Sequence, residues 1–362
     1  MTVLPLELPG LLLDWYDKEA RVLPWRSQPT PYRVWISEIM LQQTRVEAAK
    51  SYFLRFVEAL PDVPALAACP EETLMKLWEG LGYYSRARNL QRAARLLVAE
   101  YGGELPASFE ALKSLPGVGE YTAGAIASIA FGLPHPAVDG NVLRVLSRVI
   151  AKPWDIAAPG VKKELGAAIT AILPQRVGDF NQSLMELGAC VCLPNGEPLC
   201  GECPLGELCQ ARARGLTGSI PVKAPKKARR VEERTILLLF REDGRMALRR
   251  RPETGLLAGM WEPVNLPGQL DQWKVLDTLL VEMKLLGTKM GALPKARHIF
   301  THVEWQMTGW RVEVSGPGQP ESGLVWVRPE ELREEYALPS AFRAYTGGGS
   351  GSGQGEKASE GG

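Results

Sequence analysis

Two carboxyl groups in this chain stand where a carboxyl is either costly or useful. Glu38 interrupts Val34-Trp35-Ile36-Ser37-Glu38-Ile39-Met40-Leu41, an otherwise apolar helical run. An ionised carboxylate there is costly unless paired. Either an arginine such as Arg45 or helix-terminal amides satisfy it, or its pKa rises and leaves a neutral acid able to donate a proton near pH 7. Asp139, in Val138-Asp139-Gly140-Asn141, opens a helix. As N-cap it accepts backbone N–H bonds at the positive end of the dipole, which favours its ionised form. A neutral acid working with an anion is the pair that glycoside cleavage needs. One protonates the leaving group; the other stabilises or attacks an oxocarbenium-like sugar.

About twenty residues before Asp139 lies Leu115-Pro116-Gly117-Val118-Gly119-Glu120-Tyr121, where an apolar helix begins. Gly117 and Gly119 free a tight turn whose N–H groups can face a phosphate oxygen. Taken singly, these are a glycine turn and a helix cap. Together they point to chemistry on a nucleic acid, with a base as the leaving group.

The cysteines are unevenly spread. Cys69 stands alone, whereas Cys190, Cys192, Cys200, Cys203 and Cys209 crowd together. Only three histidines are present, which argues against a mixed Cys/His site. Cys192, Cys200, Cys203 and Cys209 offer four thiolates in one loop, suited to an iron–sulfur cluster or a structural zinc. Spacing leaves that choice open. No secretory signal pattern supports disulfides, and no apolar stretch is long enough to span a membrane, so a soluble, cytoplasmic protein is expected.

The 362 residues suffice for two or three domains, and 45% apolar content can fill their cores. Net charge is +1, so any polyanion contact must come from local patches. Arg86, Arg88, Arg92 and Arg95 on one helix, and the run from Lys223 to Arg230, are weak candidates. Residues 1–218 read as helices throughout: Tyr32–Ala49 after the Thr30-Pro31 cap, 71–79, Arg86–Tyr101, Tyr121–Phe131, Asn141–Ala151, Val161–Leu173 and Phe180–Ala189. A linker follows over 219–231. Residues 232–345 read as α+β, with strands at Thr235–Phe240, Met246–Arg250, two within 297–314, and Leu324–Val327. Helices are expected over Trp273–Leu286 and Pro329–Tyr336, and a disordered tail over 346–362.

The chain resembles the helix-hairpin-helix DNA glycosylases, and within them the MutY family of adenine DNA glycosylases. The resemblance rests on Trp35–Val46, Gly80-Leu81-Gly82-Tyr83-Tyr84-Ser85-Arg86 and Ala137–Val145, and spans residue 8 to about 345. It implies a multidomain fold: an all-α helix-hairpin-helix core with an iron–sulfur loop at 190–210, then an α+β Nudix-like domain. It implies that Glu38 protonates adenine and that Asp139 stabilises the sugar cation or bonds to it. Tyr121 and Asn141 would support this aspartate and the transition state. Arg21, Leu23, Trp25, Arg26, Val46 and Gln182 would surround an extruded adenine, while Gln43, Leu81 and Tyr83 would fill or probe the duplex.

The resemblance also implies a [4Fe–4S] cluster on Cys192, Cys200, Cys203 and Cys209. The first gap here holds seven residues, where the family has six; Cys190 as first ligand would make it nine. Gly255–Glu262 resembles the start of a Nudix region, without the glutamate-rich helix that would hold magnesium, so a binding module is expected. Phe300-Thr301-His302 stands where the family carries a Phe-Ser-His loop that recognises 8-oxoguanine. In the related endonuclease III enzymes a lysine occupies the Tyr121 position and leads to strand cleavage; tyrosine cannot form a Schiff base. The expectation is a monomeric, monofunctional glycosylase acting on duplex DNA with adenine opposite 8-oxoguanine or guanine. The rivals are a bifunctional glycosylase/lyase and an inactive lesion-binding protein.

Overall fold

The computed structural model describes residues 2–222, 228–316, 318 and 322–347. Lys223–Lys227 of the expected linker and residues 348–362 of the expected tail lie outside these. The described residues of Met1–Cys69 and Arg88–Pro225 form one compact unit; those of Pro70–Ala87 and Lys226–Ala358 form a second. The second unit therefore includes a piece of chain that sequence reading, with its boundary near 218, left with the first.

Helices fill the N-terminal half: α1 (Leu8–Glu19), α2 (Pro31–Leu41), α3 (Val46–Ala59), α4 (Val63–Ala68), α5 (Glu71–Leu77) and α6 (Ser85–Tyr101). There follow α7 (Phe109–Ser114), α8 (Glu120–Phe131), α9 (Gly140–Val149), α10 (Pro159–Thr170), α11 (Val177–Cys190) and the short α12 (Gln210–Ala213). Caps start them where the sequence says they should. The Thr30 hydroxyl accepts from the Arg33 N–H ahead of α2, and the Asp139 carboxylate accepts from the Val142 N–H ahead of α9. Val142, Val145, Leu146 and Val149 of α9 pack with Phe180, Leu184 and Leu187 of α11 and with Leu8 and Leu12 of α1. This core locks the α9 start against α11. At Gly188 a Cβ would lie 2.5 Å from that of Asn141, so only glycine lets the two approach so closely.

One expected helix is two. The run Tyr32–Ala49 breaks after Leu41 and resumes at Val46, with Gln43 in the left-handed region at φ 56°. Gln42, Gln43 and Thr44 carry no apolar side chain to hold the helix on the core, so the chain turns there.

The second unit carries β1 (Arg230–Phe240), β2 (Met246–Arg250), β3 (Trp261–Glu262), β4 (Val264–Pro267), α13 (Gln272–Val281), β5 (Leu286–Ile299), β6 (Val303–Ser315), β7 (Leu324–Val327), α14 (Pro329–Glu334) and α15 (Arg343–Thr346). The sheet runs β3-β2-β1-β6-β5, with β4 on β1 and β7 on β2. β1 and β6 are parallel; β5 and β6 form a long antiparallel hairpin. Asp243-Gly244 turns β1 into β2, with Gly244 at φ 80°. One apolar layer, including Val275 and Leu279 of α13, packs with Leu237 and Leu239; the other gathers Trp305, Met307 and Phe342 around Ile236 and Leu238. Alternate β1 residues thus face opposite layers. Sequence reading placed 273–286 in a helix and began the hairpin near 297. The helix instead ends at Val281, and β5 begins at Leu286 because its N-terminal half pairs with β6 while leaving most side chains exposed.

Candidate active site

A cavity of about 320 Å³ opens in the first unit, lined from the turn after α1, from α2 and the break after it, from the start of α8, from the α9 cap and from α11. Glu38 and Asp139 both reach it. So do Arg21, Leu23, Trp25, Arg26, Gln43, Val46, Tyr121, Asn141 and Gln182. The break between α2 and α3 is what brings Gln43 and Val46 to the wall.

Glu38 lies on α2 with 7% of its surface exposed. Its carboxylate accepts from the Tyr121 hydroxyl at 2.7 Å. Burial lifts the carboxyl from its ordinary 4.5 to about 7; the Tyr121 bond pulls down, the Asp139 charge pushes up, and Arg26 pulls down. Arg45 instead stands at the N-cap position of α3 without a side-chain cap bond, and the Glu38 carboxylate accepts from the tyrosine. Burial also drives the Tyr121 hydroxyl well above its usual range, so it stays a donor.

Asp139 has more donors. Its Oδ1 accepts from the Val142 N–H at 2.8 Å and its Oδ2 from Asn141 Nδ2 at 2.7 Å. Sequence reasoning expected these bonds to hold it charged. Burial outweighs them, and the net displacement is upward, although the caps and Arg144 oppose it. Between two buried carboxyls, the one with fewer donors keeps a proton to higher pH, and that is Glu38. Tyr121 sits on the glutamate, not on the aspartate it was expected to support; Asn141 does hold the aspartate. Behind it, Arg144 donates to Asn141 Oδ1 at 2.8 Å and to the Gly188 carbonyl at 2.7 Å.

Glu186, on α11 one turn beyond Gln182, was missed. Its carboxylate receives Arg21 at 2.6 Å and Arg26 at 2.9 Å, and Arg26 also donates to Gln182 Oε1 at 3.2 Å. Burial alone would raise Glu186, but the two arginines hold it down at about 2. The anchored cations form one wall, opposite in character to Leu23, Trp25 and Val46. The i, i+4 spacing from Gln182 is the signal that could have revealed it.

The hairpin turn joins α7 to α8. Gly117 takes φ 80°, and a Cβ there would lie 2.7 Å from that of Asn89 on α6, so the turn is pressed against that helix. Gly119 is the N-cap of α8 with open space where a Cβ would go. Neither glycine lines the cavity.

Leu81, Tyr83, Phe300, Thr301 and His302 belong to the second unit. Leu81 is buried, whereas Tyr83, in the left-handed region at φ 48°, is 44% exposed. Phe300-Thr301-His302 forms the tip of the β5–β6 hairpin, closed by the Phe300 N–H on the Val303 carbonyl. Phe300 packs edge-on against His298 and Trp305. Thr301 and Tyr83 share a hydrogen bond of 2.8 Å between their hydroxyls.

Cys192, Cys200, Cys203 and Cys209 line one small cavity in the first unit, together with Arg148 and Arg212. Arg148 donates to the Cys192 sulfur at 3.2 Å. Cys190 lies outside that cavity, its thiol 3.8 Å from the Glu186 carboxylate. Among the described residues no three His, Cys, Asp or Glu side chains are grouped closely enough to hold a single metal ion. None of the described helices is long and apolar enough to cross a membrane.

The fold has counterparts among known proteins. Residues 36–169 match the family model of the HhH-GPD superfamily base excision DNA repair proteins, and residues 235–346 match that of the NUDIX domain. Fold and cavity together define a base-excision repair protein with a Nudix-like C-terminal domain. A thermostable thymine-DNA glycosylase superposes with a TM-score of 0.51 at 28% identity, covering 57% of this chain and 95% of its own. Endonuclease III in a non-covalent complex with DNA gives 0.51 at 25% identity, covering 59% and 99%. The adenine DNA glycosylase of Homo sapiens is 37% identical over 416 residues, covering 97% of this chain and 76% of that protein. This chain belongs to the adenine DNA glycosylase family.

Proposed function

We propose that this chain binds duplex DNA and removes adenine lying opposite 8-oxoguanine or guanine, leaving an abasic site. The observation that carries the reading is one cavity shared by Glu38, able to keep a proton near neutral pH, and Asp139, tied down by its helix cap. Its volume lies within the range of ligand pockets. A base stacked in a duplex cannot enter, so the nucleotide must be rotated out. Arg26 and Gln182 supply polar contacts for a purine edge, and Leu23, Trp25 and Val46 supply apolar walls.

Chemistry then divides between the carboxyls. Glu38 gives its proton to a ring nitrogen of the base. The C1′–N9 bond breaks with its electron pair going to the base, which departs neutral. The sugar cation forms beside Asp139, whose negative charge stabilises it. Water adds to C1′ and returns a proton to Glu38. Tyr121 keeps Glu38 in place and, being a phenol, offers no amine for an imine, so strand cleavage by a lyase step is not part of the reaction.

The Phe300–His302 tip and Tyr83 read the base opposite the adenine, and the hairpin turn at Gly117 and Gly119 receives a phosphate. The cavity lined by Cys192, Cys200, Cys203 and Cys209 has a donor set suited to a [4Fe–4S] cluster, which takes one cysteine at each iron and so needs no three of them around a single ion, and Arg148 donates to the Cys192 sulfur. When bound, the cluster supplies a structural cross-link for the loop that follows α11. Iron and sulfide analysis with the visible spectrum checks this; a colourless, zinc-loaded, active protein overturns it.

The deciding test is single-turnover excision from duplexes carrying adenine opposite each base, with alkali revealing abasic sites. Release of adenine opposite 8-oxoguanine and guanine, without breakage before alkali, is the expected result. Absence of release, or a borohydride-trapped covalent adduct, sinks the reading.

A further inference from the structure

We propose that Arg86 is a positioning residue that presets the Leu81–Tyr83 turn for entry into the duplex, a role that rests on Tyr83 being a side chain that probes the DNA. Of the four arginines on α6, Arg86 alone is buried, with 8% of its surface exposed. Its guanidinium faces backbone carbonyls. One Nη donates to the Leu81 carbonyl at 3.2 Å and to the Gly82 carbonyl at 3.1 Å. The same group stacks 5.4 Å from the Trp78 ring centroid and 5.5 Å from that of Tyr83. Trp78 adds a bond from Nε1 to the Gly82 carbonyl at 3.2 Å, and the Arg86 N–H closes on the Tyr83 carbonyl at 2.9 Å.

The turn needs this support. Gly82 takes φ 70° and Tyr83 φ 48°. A tyrosine rarely adopts that backbone, which persists only where the surroundings fix it. Arg86 is also ill placed for stability. It is a cation in the first turn of α6, where the helix dipole is positive, and burial brings its pKa down to about 10. Keeping a desolvated guanidinium there makes sense as a scaffold for the turn. The Tyr83 ring is then held at both ends, by Arg86 across its face and by the Thr301 hydroxyl at its tip, while 44% of the residue stays exposed. Lysine would keep the charge but lose the planar guanidinium that stacks on both rings.

A double-mutant cycle on the full chain tests this. Arg86→Gln lowers single-turnover excision of adenine opposite 8-oxoguanine about tenfold in the native background, and less than about twofold in Tyr83→Ala. A merely structural arginine gives the same loss in both backgrounds, and that outcome, or no loss at all, overturns the proposal. Failure of the native protein to release adenine would instead strike the proposed function. If Arg86→Gln does not fold, Arg86→Lys carries the same cycle, read also by amide exchange. Faster exchange confined to residues 82–85 supports the role; unchanged or globally faster exchange refutes it.

Discussion

The carboxylate cavity and the hairpin tip solve opposite problems with opposite surroundings. Around Glu38 and Asp139 the carboxyls are held by neighbours and ionisation is displaced: Glu38 to about 7, Glu186 to about 2. At Thr301 and His302 the side chains are exposed, and the Thr301 hydroxyl is shared with one neighbour, Tyr83. Breaking a glycosidic bond near neutral pH requires a carboxyl that is still protonated there, which burial provides. Reading a base requires donors that can exchange water for DNA at little cost. Rigidity therefore belongs in the first region, and accessible hydroxyls in the second.

The largest effect that sharpens this contrast comes from Glu38→Gln. The amide still accepts from Tyr121 but has no proton to give. Excision falls by about 10²–10⁴, the usual worth of a general acid, while affinity for duplex DNA is retained. Undiminished excision removes the assignment. Asp139→Asn follows, with a loss of about 10²–10³ typical of a deleted charge in a dry site. Asparagine caps a helix as well as aspartate does, so the melting temperature stays close to native. An unfolded variant would show that the charge matters to the fold rather than to the sugar cation.

The pH dependence has a definite sign. Glu38 acts protonated, so excision declines as pH rises through about 7. Its folded pKa lies above the ordinary 4.5, so the stability it allows is complete below 4.5 and lost as pH climbs through about 7. The cost of keeping it ionised above that is about 3 kcal/mol. Glu38→Gln is free of it and gains on the native protein by about that much between pH 4 and pH 8, seen in urea unfolding. A gap that does not change with pH would show that Glu38 is not strained by burial.

Parts of both regions were legible in sequence for physical reasons. Glu38 stands out because apolar residues surround it at helical spacing, and Asp139 because aspartate before glycine and a helix is a cap. The break after Leu41 was hidden, since Gln42, Gln43 and Thr44 are compatible with a helix and only the absence of an apolar side chain to anchor them marks the turn. Glu186 was hidden because its meaning depends on two arginines more than 150 residues away. The early start of β5 left no alternation to read, because most side chains of its first half are exposed. The assignment of Pro70–Ala87 to the second unit leaves no local trace at all.

The smallest effect concerns the bond between the Tyr83 and Thr301 hydroxyls. Tyr83→Phe keeps the ring on Arg86 and removes the hydroxyl that meets Thr301; Thr301→Val removes the other half. A neutral hydrogen bond at an exposed site is worth about 1 kcal/mol, so each change lowers the preference for 8-oxoguanine over guanine by about fivefold. Because both act on one contact, the double variant loses no more than either single one. Additive losses would mean that the two hydroxyls reach the DNA separately, and that tip and turn read the lesion as independent elements. Equal single and double losses would place the reading in the hydrogen-bonded pair itself.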